Sequence, residues 1–157
     1  MIKKIILWII LICCMGLIFY FSSQEATASD KTSSGFVEII IKFFDFNDRI
    51  SDVQIAKINE NFSTLVRKTA HFSIYLILSF IASLLLCEYK ITGLRQVLFA
   101  VIFSFLYACS DEFHQLFVSG RSAQISDIAL DTCGAILGAF LVLLIKRRKR
   151  NALHKNL

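Results

Sequence analysis

Residues 65–87 read LVRKTAHFSIYLILSFIASLLLC, and this stretch decides the fold. From residue 70 onward it contains no lysine, arginine or acidic residue. As an α-helix rising about 1.5 Å per residue, it is long enough to cross a hydrocarbon core of about 30 Å. Three more apolar runs lie at residues 5–21, 97–118 and 125–145. The sequence therefore predicts an all-α membrane protein, a bundle of four transmembrane helices in a single domain over residues 1–157.

Composition excludes other classes of protein. Hydrophobic residues make up 56% of the 157-residue chain and charged residues 18%, against roughly 25% charged residues in soluble domains. The mean hydropathy of +0.65 excludes a disordered chain, which needs low hydrophobicity. The apolar residues come in blocks and do not alternate with polar ones, which argues against a soluble enzyme.

The first apolar run has two interpretations. Residues 5–21 follow Lys3 and Lys4 and are slightly shorter than the roughly 20 apolar residues of a typical span. The Ala26-Thr27-Ala28 pattern downstream would suit the cleavage site of a signal peptide. The apolar core is longer than that of a usual signal peptide, so we expect a retained helix.

Basic residues predict the orientation in the membrane. If the spans alternate, ten of the 17 Lys and Arg residues fall on one side. They are Lys3, Lys4, Lys90, Arg95, the run 146–150 and Lys155. The positive-inside rule then places both termini and the basic tail 146–157 in the cytoplasm, with residues 22–64 outside. Because the run 146–150 directly follows an apolar span, it is typical of a stop signal, and no nucleic-acid partner is expected.

The outer segment, residues 22–64, has helical periodicity. Two apolar groups each have the spacing of one helix face: Phe36, Ile39, Ile40 and Phe43, and then Ile55, Ile58, Phe62 and Leu65. Residues 51–54, SDVQ, match a capping box between them. We expect two short amphipathic helices in this first extracytoplasmic loop, with a poorly ordered loop as the alternative.

The informative residues are polar groups inside or beside the spans. They are Arg67, Lys68, His71 and Tyr75 near the second span, Asp111, Glu112, His114 and Gln115 on the third, and Arg121, Asp127 and Asp131 before and on the fourth. Alternating spans bring all three sets to the level of the outer surface. An unpaired Asp at the membrane centre costs about 2.5–3.5 kcal/mol, so these groups must face each other or water. Gly134 and Gly138 lie on the face of Asp131 and predict a close helix contact.

Four interpretations of this cluster are open. It could be a salt-bridge network that fixes helix register, a pocket for an anionic head group, an active site with a histidine acid/base, or a divalent metal site. The catalytic candidates are His71, Asp111, Glu112 and His114; the candidate binding residues are Arg67, Lys68, Tyr75, Gln115, Arg121, Asp127 and Asp131. No HExxH or CxxC spacing occurs and the five cysteines lie in or at the ends of apolar runs, so no metal, cofactor or disulfide framework is predicted.

Several short motifs together resemble a known family. They are FSSQ at 21–24, RKTAHF at 67–72 with Tyr75, and SDEFHQLF at 110–117 continued by Gly120-Arg121 and Asp127. This pattern, covering nearly the whole chain, is similar to the VanZ-like family of small bacterial membrane proteins. Two positions depart from it: Ser119 stands where proline is usual, and Asp131 stands where asparagine is frequent.

The resemblance implies a role in the bacterial cell envelope. The namesake of the family accompanies glycopeptide-resistance genes and lowers susceptibility to teicoplanin-type antibiotics. The leading hypothesis is an outward-facing polar pocket that engages a lipid-linked cell-wall precursor, another lipid-anchored component or the antibiotic. The alternatives are an enzyme that hydrolyses or transfers a phosphate-linked lipid head group, and a structural partner of envelope-synthesis proteins. The sequence leaves substrate and oligomeric state open.

Overall fold

The structure, a computed structural model, describes residues 1–44 and 52–155. Within these ranges the chain forms five α-helices and no strand: α1 (Ile2–Ser22), α2 (Ala26–Phe44), α3 (Asp52–Glu88), α4 (Leu94–Gln115) and α5 (Ile125–Lys155). Four stretches are long and apolar enough to cross a membrane: Ile2–Ser22, Thr64–Glu88, Leu94–Gln115 and Ile125–Ala152. The predicted all-α fold with four membrane helices is confirmed.

Helix α3 differs from its prediction because it does not stop at the membrane surface. Its 37 residues run without interruption from Asp52 to Glu88. The second predicted amphipathic helix is therefore the first part of α3 and not a separate element. The physical reason is that no glycine or proline occurs between these two residues, so nothing breaks the hydrogen-bond ladder. Ser51, the first residue of the predicted capping box, lies outside the described residues.

Helix α2 is the first predicted amphipathic helix, and the face that it buries in the protein carries mainly small side chains. Ser29, Ser33 and Val37, spaced four residues apart, are buried, while Phe36 and Ile39 are exposed. Small side chains on the buried face let α2 lie close to α3, which it contacts along its length. The exposed apolar side chains are then available to lipid.

Two helix ends depart from the predicted spans. Helix α4 starts at Leu94 and ends at Gln115, in each case three residues before the predicted span 97–118. It ends early because the backbone N–H groups of residues 116–118 donate to carbonyls three residues back, which is not the α-helical pattern. Helix α5 does not end at residue 145 but continues through the basic tail to Lys155. Lys and Arg are good helix formers, so the change from apolar to basic composition does not end the helix.

Contacts between the helix ends show how the bundle is arranged. Lys3 pairs with Glu88, and Trp8 Nε1 lies 3.3 Å from the Tyr89 hydroxyl. Lys146 also acts electrostatically on Glu88. We call this the basic end of the bundle. At the opposite end, named the site end, the end of α1 meets the end of α4, and the end of α4 contacts the chain just before α5. The chain's N-terminus and the basic tail therefore share one end, and their cytoplasmic location stays a prediction.

Helices α3 and α5 make the most extensive helix contact, and two glycines allow it. A Cβ atom at Gly134 would overlap the carbonyl oxygen of Phe72, and one at Gly138 would overlap that of Leu76. The obstacles are backbone atoms, which cannot rotate away as a side chain can. The four-residue glycine spacing thus brings the two backbones into direct contact, as the sequence predicts.

Candidate functional site

Three carboxyl groups are buried together near the site end. Asp111 and Glu112 on α4 are 4% and 3% exposed, and Asp131 on α5 is 1% exposed. Carboxylates are almost never buried to this extent without partners, because desolvation opposes the charged form. The three groups find different partners, and these differences define the site.

Glu112 ties the loop before α5 to α4. Its Oε2 accepts the backbone N–H of Gln124 at 2.8 Å. Glu112 follows Asp111 directly in α4, so its side chain points about a quarter turn away from that of Asp111. In the fold that direction points at the start of α5, where a carboxylate also suits the positive end of the helix dipole. Glu112 therefore holds the α4–α5 connection in place.

Asp111 belongs to a hydrogen-bonded group that joins α4 to α1. The Gln115 amide donates to the Ser22 hydroxyl at 2.9 Å and to Asp111 Oδ2 at 3.4 Å. All three side chains are buried. Asp111 and Gln115 share one face at four-residue spacing, as predicted. Ser22 was not among the predicted site residues, although it is the first polar residue after the apolar run of α1.

Asp131 and His71 form the least satisfied pair in the site. His71 Nδ1 lies 3.7 Å from Asp131 Oδ2, within ion-pair range but too long for a hydrogen bond. Within residues 1–44 and 52–155, His71 Nδ1, both Asp131 carboxylate oxygens and the Tyr75 hydroxyl have no hydrogen-bond partner. Each buried polar group left unpaired costs about 1–3 kcal/mol. Unpaired groups of this kind are characteristic of functional sites.

The second candidate histidine faces a different neighbour. His114 Nε2 lies 3.1 Å from the Ser23 hydroxyl, and the ring stacks on Phe19 with centroids 4.6 Å apart. These contacts are with α1 and its C-terminal cap, whereas His71 faces α5. Asp111 lies within electrostatic reach of both histidines. The two candidate histidines thus have different neighbours, and both act electrostatically on Asp111.

Two of the cationic candidates, Lys68 and Arg121, also have different partners. Lys68 pairs with Asp127 at 2.7 Å, with both side chains partly exposed. Arg121 follows Gly120, whose φ of 75° lies in the left-handed region that favours glycine. Arg121 Nε donates to the Gln24 carbonyl at 3.2 Å, and its charge acts on His71. The Lys68–Asp127 pair is a half-exposed link between α3 and α5, while Arg121 turns back toward the end of α1 and toward His71 of α3.

A mostly apolar groove of about 630 Å³ opens beside this cluster, between the end of α1, α2 and α3. Its apolar lining includes Ile18, Phe21, Phe36, Leu65 and Ile74, and its polar lining includes Gln24, Arg67, His71 and Arg121. Tyr75, Asp111, Glu112, Gln115 and Asp131 are buried and do not line it. Arg67 and Arg121 therefore line the groove, whereas Asp111, Glu112 and Asp131 lie in the interior. His71 lines the groove and is paired with Asp131 of the interior.

No arrangement for a metal ion is found in the part of the chain that the structure describes. There, no three His, Cys, Asp or Glu side chains are placed to hold one. The five cysteines are free thiols.

A family model for VanZ/LLP1 matches residues 7–146, which is most of the chain. The chain belongs to the VanZ/LLP1 family. No curated protein and no solved structure matches it. The family assignment agrees with the motifs that carry the resemblance, and two of those motifs meet in space. Ser22, the last residue of α1, accepts a hydrogen bond from Gln115 of α4. Gln24, just after α1, accepts one from Arg121 of the next loop.

Sequence reasoning missed two features of this VanZ/LLP1 protein. One is the groove, because nothing in the local pattern of α2 indicates that it forms a wall beside Arg67 and His71. The other is a set of buried hydroxyls on α3, at Ser79 and Ser83. Their four-residue spacing from Tyr75 is visible in the sequence and could have revealed them.

Proposed function

We propose that this VanZ/LLP1 protein binds an anionic, lipid-tailed component of the cell envelope in the groove at the site end. Such binding would lower susceptibility to teicoplanin-type glycopeptides by engaging their lipid-linked target. The observation that carries the proposal is the composition of the groove. Its apolar lining suits a hydrocarbon chain, and Arg67, His71 and Arg121 stand together at its polar part.

Arginine suits an anionic head group for a geometric reason. The planar guanidinium presents paired N–H donors that match the oxygens of a phosphate or carboxylate, and such charge-assisted hydrogen bonds are stronger than neutral ones. Arg121 Nε already donates to the Gln24 carbonyl, an interaction that fixes its direction. We expect the guanidinium of Arg121 to contact the head group of the ligand.

Lipid binding by the purified protein tests this proposal. Polyprenyl phosphate is titrated against the full chain in detergent, with the uncharged polyprenol as the matched ligand. A hydrogen bond to a charged group contributes about 1.5–3 kcal/mol, so Arg121→Gln is expected to weaken phosphate binding about tenfold or more. Arg148→Gln, the same change in the exposed basic part of α5, should leave the affinity unchanged. Equal affinity for polyprenol and its phosphate, or full affinity in Arg121→Gln, would refute the proposal.

Cellular function is tested with Arg121→Lys, which keeps the charge and loses the planar fork. A deletion strain carrying the wild-type gene or the variant is compared for susceptibility to a teicoplanin-type antibiotic, at matched membrane abundance. We expect the Lys variant to behave like the deletion strain. Full protection by both Arg121→Lys and Arg121→Ala would exclude this residue from the site.

One observation favours an enzyme as the second candidate function. His71 lines the groove and its Nδ1 faces Asp131, an arrangement in which a carboxylate can orient a histidine acid/base. The reaction would be hydrolysis or transfer of a phosphate-linked head group. His71→Asn should then abolish head-group release from a polyprenyl-phosphate-linked substrate while preserving binding. If wild-type protein releases no product, the binding function stands alone.

A further inference from the structure

A column of buried hydroxyl groups runs along α3 from the site toward the basic end. Tyr75, Ser79 and Ser83 follow His71 at four-residue intervals, so they lie on one slowly turning face of the helix. All three hydroxyl-bearing residues have an exposure of 0%. Ser104 on α4 has the same exposure. Four hydroxyls are thus buried between the membrane helices, where Gln96 of α4 is a further buried polar residue and donates to the Ala139 carbonyl.

These hydroxyls do not bond to the backbone of their own helix. A serine or threonine in a helix can donate to the carbonyl four residues back, and Thr69, Ser73 and Thr132 do so at 2.7–2.8 Å. Ser79 and Ser83 have such a carbonyl within their own helix but do not use it. No hydrogen-bond partner for these two hydroxyls exists among the described residues.

The other two hydroxyls of the column, those of Tyr75 and Ser104, also have no hydrogen-bond partner among the described residues. The nearby Tyr107 differs, because its hydroxyl donates to the Met15 carbonyl at 2.7 Å. Tyr107 thus has a protein partner, whereas the four hydroxyls of the column have none among the described residues.

Helix geometry gives the column its length and direction. Helices α3 and α4 are antiparallel, and the rings of Tyr75 and Tyr107 meet with centroids 6.4 Å apart. Counting from this contact, Ser79 and Ser104 lie within one residue of the same depth. The column from His71 to Ser83 spans about 18 Å at about 1.5 Å per residue, and Glu88 at the basic end lies one further turn and a half along α3. The column thus covers more than half of the membrane's thickness.

We infer that Tyr75, Ser79, Ser83 and Ser104 hold a file of water molecules that conducts protons between the His71–Asp131 pair and the basic end of the bundle. Along α3 the Cα atoms of Ser79 and Ser83 are about 6 Å apart, a separation that one water molecule between their hydroxyls can bridge. A proton enters the file from one end, each hydroxyl or water accepts one proton and passes on another, and one proton leaves at the other end. The file is unchanged after the hydroxyls reorient, and no oxidant or reductant is needed.

The groups at the site end are suited to exchange a proton with this file. His71 and Asp131 both carry unpartnered polar atoms in the described part of the chain, and Tyr75 is the next member of the column after His71. His71 is also faced electrostatically by Asp111 from α4 and by Arg121 from the α4–α5 loop. The inference goes beyond lipid binding, because it links the site end to the opposite surface of the membrane.

Proton flux into liposomes tests the inference. The full chain is reconstituted with a pH-sensitive dye inside, an inside-negative potassium diffusion potential is imposed with valinomycin, and internal acidification is followed. We expect wild-type protein to acidify the lumen several-fold faster than protein-free liposomes do. Ser79→Ala and Ser83→Ala should each remove most of that excess. Ser110→Ala is the matched control, because its exposed hydroxyl donates to the Tyr107 carbonyl and lies off the column.

Two results would overturn the inference: wild-type flux equal to that of protein-free liposomes, and wild-type flux in the Ser79→Ala, Ser83→Ala double variant. A variant that fails to fold is recognised by its loss of helical signal. In that case radiolytic labelling of wild-type protein decides, because hydroxyl radicals form from water next to the side chain that they modify. Hydroxylation of the fully buried Tyr75 above the level of other buried residues is expected. An unmodified Tyr75 would mean a dry column and would refute the water file.

Discussion

The contact between α3 and α5 permits a sharp prediction from a pair of identical substitutions. Gly138→Ala places a methyl group on the Leu76 carbonyl and against the Phe80 backbone nitrogen, so the two helices must separate. Overpacking of this kind costs about 1–3 kcal/mol. Gly16→Ala is the matched control, since nothing lies within 4 Å of a Cβ atom at that position in α1. There the gain in helix propensity stabilises the protein by up to about 1 kcal/mol.

Thermal unfolding in detergent, followed through the single tryptophan, Trp8, measures both effects. For a chain of this size 1 kcal/mol shifts Tm by about 2–4 °C. Gly138→Ala should therefore lower Tm by about 2–12 °C, whereas Gly16→Ala should leave it unchanged or raise it by up to about 4 °C. Gly134→Ala should lower Tm less when it is added to Gly138→Ala than when it is made alone, because Gly138→Ala has already separated the helices. Equal shifts for Gly138→Ala and Gly16→Ala would refute the direct backbone contact.

Three further predictions concern orientation, the α4–α5 loop and the interior of the site. Reporter fusions at residue 45 and at the C-terminus should show opposite sidedness, because the basic residues favour cytoplasmic termini; identical sidedness would overturn this topology. Glu112→Ala should destabilise the protein by about 1–3 kcal/mol in thermal unfolding, since the Gln124 N–H loses its acceptor; an unchanged Tm would show that the loop holds without it. In a strain with a measurable phenotype, Asp111→Ala and His114→Ala should reduce function more than Phe113→Ala at equal membrane abundance. Full activity of both polar variants would argue against a site between α1 and α4.

The sequence by itself determined the membrane class and the level of the site. Apolar runs long enough to span a bilayer leave few alternatives to helices, because every backbone N–H and C=O must be satisfied inside lipid. Alternation of those spans then places the polar ends of three helices at one end of the bundle. A close helix contact at Gly134 and Gly138 follows in the same way, because small residues at four-residue spacing make a groove on one helix face. Local spacing thus predicted which face of a helix turns inward.

Only the tertiary structure decided which neighbour each inward face meets. His71 meets Asp131 of α5, while His114 meets Ser23 and Phe19 at the end of α1, although both histidines lie on predicted inner faces. The groove exists because α2 folds back onto α3, a packing that the local periodicity of α2 does not indicate. Hydroxyl direction is likewise a tertiary property, since Ser73 and Ser79 differ in partner but not in chemistry. The physical reason is that helix faces are set by residues three or four apart, whereas the pairing of faces depends on how helices distant in sequence pack.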